Sequence, residues 1–260
     1  MRLENQIAVV TGGSQGIGRQ ISLRLAEEGA LVVIADINEL GSWETAEMIT
    51  KAGGRKARVI PTDVSSELQV ANLIQATLNK NQRLDILVNN SGVMGPVKNI
   101  EDISLEEWEA TMAVNLRGIF LCCKYAIPPM KAQGKGSIVN ISSITGKRPL
   151  TQRTPYATSK MGVIGLTRTL AAEVGKWKIR VNAVCPGAVT GKRQDQVYEG
   201  IMKFTGKTRE QVIAERVEFS PLRSFIDPKY VAAVVAFLCT EDAAMMTGQD
   251  INISAGALMY

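Results

Sequence analysis

Tyr156 and Lys160 stand four residues apart, thirteen residues after Ser143. On a helix that spacing puts phenol and ammonium on one face. A free tyrosine titrates near pH 10, too high for a base at neutral pH. An adjacent cation lowers that value by roughly one to three units, each worth about 1.4 kcal/mol, which makes Tyr156 a usable general acid/base. The chain contains no histidine. Ser-His-Asp and Cys-His catalysis and His-ligated metals are therefore excluded, and proton transfer falls to Tyr, Lys, Cys or a carboxylate. Taken alone, Tyr-x-x-x-Lys is also a common surface pair. Its weight comes from what surrounds it.

The first such feature is Thr11-Gly12-Gly13-Ser14-Gln15-Gly16-Ile17-Gly18, directly after the apolar run Ile7–Val10. Glycines allow a tight turn and let the backbone approach a pyrophosphate, which sits on the free N–H groups of the following helix. Asp36 closes the second apolar run, eighteen residues after Gly18, where an acid can hydrogen-bond the adenosine ribose. A carboxylate there repels a 2′-phosphate, and Ser14-Gln15 and Ile37-Asn38 bring no Arg or Lys to accept one. NAD is expected rather than NADP. The oxidised nicotinamide's positive charge would lower the Tyr156 pKa further, so loop and pair together point to hydride transfer.

The elements that must position these groups alternate. Ile7–Val10, Leu31–Ala35, Arg58–Pro61, Leu84–Val88, Ser137–Ile141, Arg180–Val184 and Asp250–Ile253 read as strands, mostly buried apolar runs. Between them, Ile17, Ile21 and Leu25 share a helix face that stops at Gly29, and Leu68, Leu73, Ile74 and Leu78 stripe the next helix. Ser104-Leu105-Glu106-Glu107 is a capping box opening a long helix, expected to end near Pro128 and Pro129. Asp227-Pro228 starts a late helix through Val231, Val234, Val235 and Leu238. Strands alternating with helices imply right-handed crossovers and an α/β fold with a doubly wound parallel sheet. Residues 187–220 exceed an ordinary βα connection and carry a second capping box, Thr208-Arg209-Glu210-Gln211, so a partly helical substrate lid is expected there.

No linker, repeat or charge block divides the 260 residues, which are read as one domain, 1–260. No apolar run of about eighteen residues stands out as a membrane span. The chain enters its first strand almost at once, leaving no room for a signal peptide, and a cytoplasmic protein is expected. Cys122 and Cys123 are adjacent while Cys185 and Cys239 are isolated, a pattern without C-x-x-C spacing that suggests buried reduced thiols and no metal. The net charge of +5 is scattered among acids, without a basic stripe, so no nucleic-acid partner is expected.

Together these features resemble the short-chain dehydrogenase/reductase family over essentially the whole chain. The matching residues are Thr11-Gly12-x-x-x-Gly16-x-Gly18, Asp63-Val64, Asn89-Asn90-Ser91-Gly92, Asn115, Ser143, Tyr156-x-x-x-Lys160 and Pro186-Gly187. The resemblance implies a single-domain Rossmann fold with seven parallel strands and helices on both faces. It implies that Ser143 hydrogen-bonds the substrate oxygen and Tyr156 exchanges its proton. Lys160 would bind the nicotinamide ribose, and Asn115 would hold a water linking Lys160 to solvent. Gly12, Ser14, Gln15, Gly16, Ile17, Gly18, Asp36 and Ile37 would hold the adenosine and phosphates. Asp63 and Val64 would flank the adenine and Asn90, Ser91 and Gly92 the ribose, while Pro186, Gly187 and Val189 line the nicotinamide. A homotetramer is implied as well.

Three positions depart from the family pattern: Ser91 for an alanine, Gly191 (after Thr190) for a threonine, and Ser254-Ala255-Gly256 for Asp-Gly-Gly. Arg153, three residues before Tyr156, is expected to face the substrate. With Lys147, Arg148, Lys192 and Arg193 it suggests a substrate bearing a negative charge or several hydroxyls. The expected activity is NAD-dependent oxidation of a sugar, polyol or anionic hydroxy compound. Reduction of a ketone such as a 3-oxoacyl intermediate is the alternative, and a non-catalytic NAD-sensing or scaffold protein the alternative of another class.

Overall fold

The apolar runs assemble into one parallel sheet in the computed structural model, which describes residues 1–260, the side chains of Lys192 and Arg193 excepted. Strands β1 (Ile7–Thr11), β2 (Leu31–Asp36), β3 (Arg58–Pro61), β4 (Ile86–Asn89), β5 (Gly136–Ile141), β6 (Ile179–Pro186) and β7 (Asp250–Ile253) lie in the order β3-β2-β1-β4-β5-β6-β7. Each neighbouring pair is parallel, with Val9 opposite both Val33 and Leu87. The chain steps outward from β1 to β3 and then returns to β4 on the other side of β1. The crevice of such a switch point lies beyond the carboxyl ends of β1 and β4. The seven strands and the doubly wound fold expected from the sequence are all present.

The helices are α1 (Gly16–Glu27), α2 (Glu39–Lys51), α3 (Glu67–Asn81), α4 (Leu105–Met112), α5 (Gly118–Gln133), α6 (Thr154–Val174), α7 (Lys192–Thr205), α8 (Arg209–Glu218) and α9 (Pro228–Cys239). Ile21, Leu25, Ile49, Val231 and Val235 from α1, α2 and α9 cover Val10, Ile34 and Val88 on one sheet face. Leu73, Ile74, Leu121 and Val163 from α3, α5 and α6 cover Val9, Val33, Leu87 and Ile138 on the other. Burial on both faces is why the strands read as continuous apolar runs rather than alternating ones. The capping boxes at Ser104/Glu107 and Thr208/Gln211 form as expected, and Asp227 caps α9 ahead of Pro228.

Several local expectations are corrected. The long helix does not end at Pro128 and Pro129. It runs to Gln133 and stops at Gly134, which takes φ of 65°. Ala126 and Met130 are buried on either side of the prolines, so packing holds the helix on course through two residues that cannot donate to it. The same helix is interrupted by a π turn, Ala113–Arg117. Leu68 is exposed; the buried stripe of α3 is Val70, Leu73, Ile74 and Thr77, the true i, i+3, i+4, i+7 set. Helix α2, capped by Asn38 and ended before Gly53, is an element beyond those expected from the sequence. Finally, the continuous stretch Leu105–Gln133 is long and apolar enough to cross a membrane, its most apolar eighteen-residue window having mean hydropathy 1.2. In the fold its apolar side, Ile119, Leu121, Cys122 and Cys123, is buried against the sheet.

Candidate active site

At the carboxyl end of β1 the glycines answer separate demands. Gly12 and Gly16 take positive φ, 66° and 55°. A Cβ on Gly18 would lie 2.0 Å from Gly12 O, and one on Gly12 would lie 2.8 Å from Asn90 Nδ2. Asn90 crosses from the end of β4 to fasten this turn: its Nδ2 donates to Thr11 O (3.1 Å) and Gly12 O (2.9 Å). Thr11 Oγ1 in turn accepts from Asn90 N and Ser91 N. A Cβ on Gly16 would instead meet nothing within 4 Å. Helix α1 therefore begins against open space, with no side-chain cap from Gln15 and no acid in its first turn. That is a cradle of N–H groups suited to a pyrophosphate.

Asp36 ends β2 beside this loop. Its carboxylate accepts from Ser14 N at 3.0 Å and Asn38 N at 2.9 Å. Arg19 carries no local sequence signature; its guanidinium donates to Ser14 O (2.6 Å) and Thr45 Oγ1 (3.0 Å) and pairs with Glu44 (2.9 Å). This cation is thus committed to the protein. Further along the crevice, Asp63 accepts from Ser65 N and Ser65 Oγ. Val64 is buried where Gly118 allows α5 close approach: a Cβ at 118 would be 2.8 Å from Val64 Cγ2.

Asn115 lies on the π turn, fully buried. A π turn breaks the ordinary ladder and recurs at functional sites. Its amide accepts from Val93 N (2.7 Å) and donates to Val93 O (3.0 Å) and Ser159 Oγ (3.1 Å). It thereby joins the loop after β4 to α6, one residue from Lys160. A second buried relay, also absent from the sequence reading, runs from Asn89 Nδ2 to Asn140 Oδ1 (2.8 Å) and from Asn140 Nδ2 to Thr167 Oγ1 (2.9 Å).

Past the end of β5, Ser143 has extended backbone, is 8% exposed, and accepts from Thr145 N through its Oγ. Helix α6 follows, with Pro155 in its first turn. Lys160 is buried and its Nζ donates to Ile141 O at 2.8 Å. The ammonium lies 5.8 Å from the centre of the Tyr156 ring. Arg153, expected to face the substrate, is 7% exposed. Its guanidinium stacks 4.8 Å from the same ring centre and donates to Met94 O at 3.0 Å.

The remaining cations have local partners as well. Lys147 reaches Asp250, Asn252 and the Tyr260 carbonyl, and Arg148 stacks on Phe219 at 3.8 Å. The side chains of Lys192 and Arg193 lie outside the described residues. At the end of β6, Gly187 N donates to Ile253 O, and a Cβ on it would stand 3.1 Å from Ser254 Cα. Val189 bridges to Ile226. The departure at Ser254-Ala255-Gly256 therefore lies against the wall expected at the nicotinamide. Helix α7 closes over the loop after β4, where a Cβ on Gly200 would be 3.0 Å from Val97 Cγ2.

Residues 12–257 match the family described as Enoyl-(Acyl carrier protein) reductase. An uncharacterised oxidoreductase from Thermotoga maritima is 37% identical over 259 residues, 99% of each chain. Among solved structures, NAD+-bound xylitol dehydrogenase superimposes with TM-score 0.95 at 28% identity, covering 98% of this chain and 100% of that one. Actinorhodin polyketide ketoreductase with NADPH gives TM-score 0.94 at 33% identity, covering 98% of both. The chain belongs to the short-chain dehydrogenase/reductase family. It is an oxidoreductase acting on alcohols or ketones, which sets aside the non-catalytic alternative, and its fold is a nucleotide-cofactor-binding one.

Proposed function

We propose that the protein is an NAD-dependent dehydrogenase that oxidises a secondary alcohol, in a sugar, polyol or anionic hydroxy compound, to the ketone or lactone. The observation that carries this is the Tyr156 ring flanked by Arg153 and Lys160, in a fold whose β1–α1 turn is an open glycine cradle. Gly12 to Gly18, with Asp36 and Ile37, would hold the adenosine and phosphates. Asp63 and Val64 would border the adenine, and Asn90 to Gly92 the ribose. Pro186, Gly187 and Val189 would line the nicotinamide. When bound, the dinucleotide supplies a two-electron hydride acceptor.

The chain's own groups handle the proton. Ser143 hydrogen-bonds the alcohol oxygen, and Tyr156 takes the hydroxyl proton. Lys160 favours the phenolate by its charge and would bind the nicotinamide ribose, and Asn115 would hold a water between Lys160 and solvent. Arg153 acts at the substrate side through the ring it stacks on. Residues 187–220 serve as the lid that excludes water.

NAD is favoured because Asp36 repels a 2′-phosphate and Arg19 is engaged by Ser14 and Glu44. The likeness to a ketoreductase with NADPH supports the reverse reaction as the second reading. We further propose a cytoplasmic enzyme, in keeping with four free buried cysteines, and a homotetrameric assembly. The test is nucleotide reduction by purified protein across sugars, polyols, sugar acids and hydroxy acids, with NAD and NADP in parallel. NADH formation from a secondary alcohol is expected. Turnover confined to NADPH-driven ketone reduction would overturn the proposed cofactor and direction together.

A further inference from the structure

The turn that carries Ser143 and the helix that carries Lys160 meet backbone to backbone. A Cβ on Gly146 would lie 2.7 Å from Lys160 C, 2.8 Å from Lys160 O and 2.9 Å from Met161 N. All three are main-chain atoms inside α6, so none can swing aside as the end of a flexible side chain does. Lys160 is fastened to the same segment twice more. Its Nζ donates to Ile141 O at 2.8 Å, and its carbonyl accepts from Ser142 Oγ at 2.7 Å. The turn is closed in its own right, since Gly146 N donates to Ser143 O at 3.0 Å and Thr145 N to Ser143 Oγ at 3.1 Å. Ser142 and Gly146 therefore bracket Ser143 in sequence while both touch the backbone of Lys160.

We propose that Gly146 and Ser142 are positioning residues that set the separation between Ser143 and the Tyr156–Lys160 face of α6. The proposal rests on Ser143, Tyr156 and Lys160 being the groups that act on the alcohol. Restoring ordinary carbon contacts of about 3.5 Å around a methyl at 146 requires α6 and the turn to part by roughly 0.5 to 1 Å. A displacement of about 1 Å between reacting groups costs on the order of 100-fold in rate.

The test compares Gly146→Ala and Ser142→Ala with Gly136→Ala. The last adds the same methyl at the far end of β5, against the flexible Met130 side chain. For each variant kcat, KM, the Kd for NADH by fluorescence titration and Tm are measured. Gly146→Ala is expected to lower kcat about 10- to 100-fold while NADH still binds within about threefold of the parent affinity. Ser142→Ala, which adds no bulk, should lower kcat by a smaller factor. Gly136→Ala should lose Tm without losing kcat. A folded Gly146→Ala enzyme with parental kcat overturns the proposal. If Gly146→Ala does not fold, Ser142→Ala decides, and parental kcat there overturns it equally. Full activity in Tyr156→Phe would instead remove the underlying catalytic assignment, an outcome separate from either glycine result.

Discussion

The guanidinium carbon of Arg153 lies 4.8 Å from the centre of the Tyr156 ring, closer than the Lys160 ammonium at 5.8 Å. One aromatic ring therefore has two cations against it, one from the N-cap of α6 and one from its second turn. Cation–π contact is worth about 0.5 kcal/mol on an exposed ring and about 2 on a desolvated one, or roughly 2- to 30-fold in rate if it is felt at the transition state. Arg153→Met should lower kcat by a factor in that range for neutral and anionic alcohols alike. A KM increase confined to anionic substrates would show instead that the guanidinium binds substrate directly.

Asp36 should govern the choice of dinucleotide. Hydrogen bonds to a carboxylate contribute about 1.5–3 kcal/mol, so Asp36→Ser should raise KM for NAD on the order of 10- to 100-fold. KM for NADP should fall, because the repulsion is gone. An unchanged ratio of kcat/KM values for the two cofactors would place discrimination elsewhere. The variant also removes an acceptor from Ser14 N and Asn38 N, so a modest loss of Tm accompanies the switch.

Acid stability follows from two carboxylates. Arg2's hydrogen bond, opposed by burial and reinforced by Arg24, holds Glu28 at about 2 against an ordinary 4.5. Burial pushes Asp250 upward, but hydrogen bonds from Lys147 and Arg168 outweigh it and leave the group below its ordinary 3.8. Both folded values lie below the unfolded ones. Their stabilisation is therefore complete above about pH 4.5 and is lost as pH falls toward 2. Unfolding followed by circular dichroism should show this acid limb. Glu28→Gln should be less stable at neutral pH and show a shallower limb, and an unaltered limb would exclude Glu28 as its source.

The proposed lid is tested most simply at Gly200. A Leu there cannot fit against Val97, whose Cγ2 already stands 3.0 Å from the position of a Cβ. Gly200→Leu should hold α7 away from the loop after β4 and raise KM for the alcohol several-fold, with Kd for NADH unchanged. A parallel loss of cofactor affinity would mean that α7 shapes the dinucleotide site instead.

What the sequence disclosed and what it concealed divide along a physical line. Gly12 and Gly18 were legible because backbone crowding leaves a local signature, and the strands because burial on both faces makes unbroken apolar runs. Asn90 stands out in the sequence as a site residue, yet its grip on Thr11 and Gly12 spans nearly eighty positions and has no local pattern. Arg19 and Gly146 stayed silent for the same reason: their roles exist only once Glu44 or Lys160 is brought beside them. Pro128 and Pro129 misled because a local helix-breaking rule was overridden by the burial of Ala126 and Met130. The π turn at Asn115 lay within an otherwise ordinary helical pattern.

The most direct test is the rate of NADH formation by Tyr156→Phe against the parent enzyme, at saturating alcohol and NAD, with NADH binding measured in both. Loss of a general base typically costs about 100- to 10,000-fold, so turnover should fall by that factor while the variant still binds NADH. Turnover at the parental rate would show that the phenol of Tyr156 does not carry the proton.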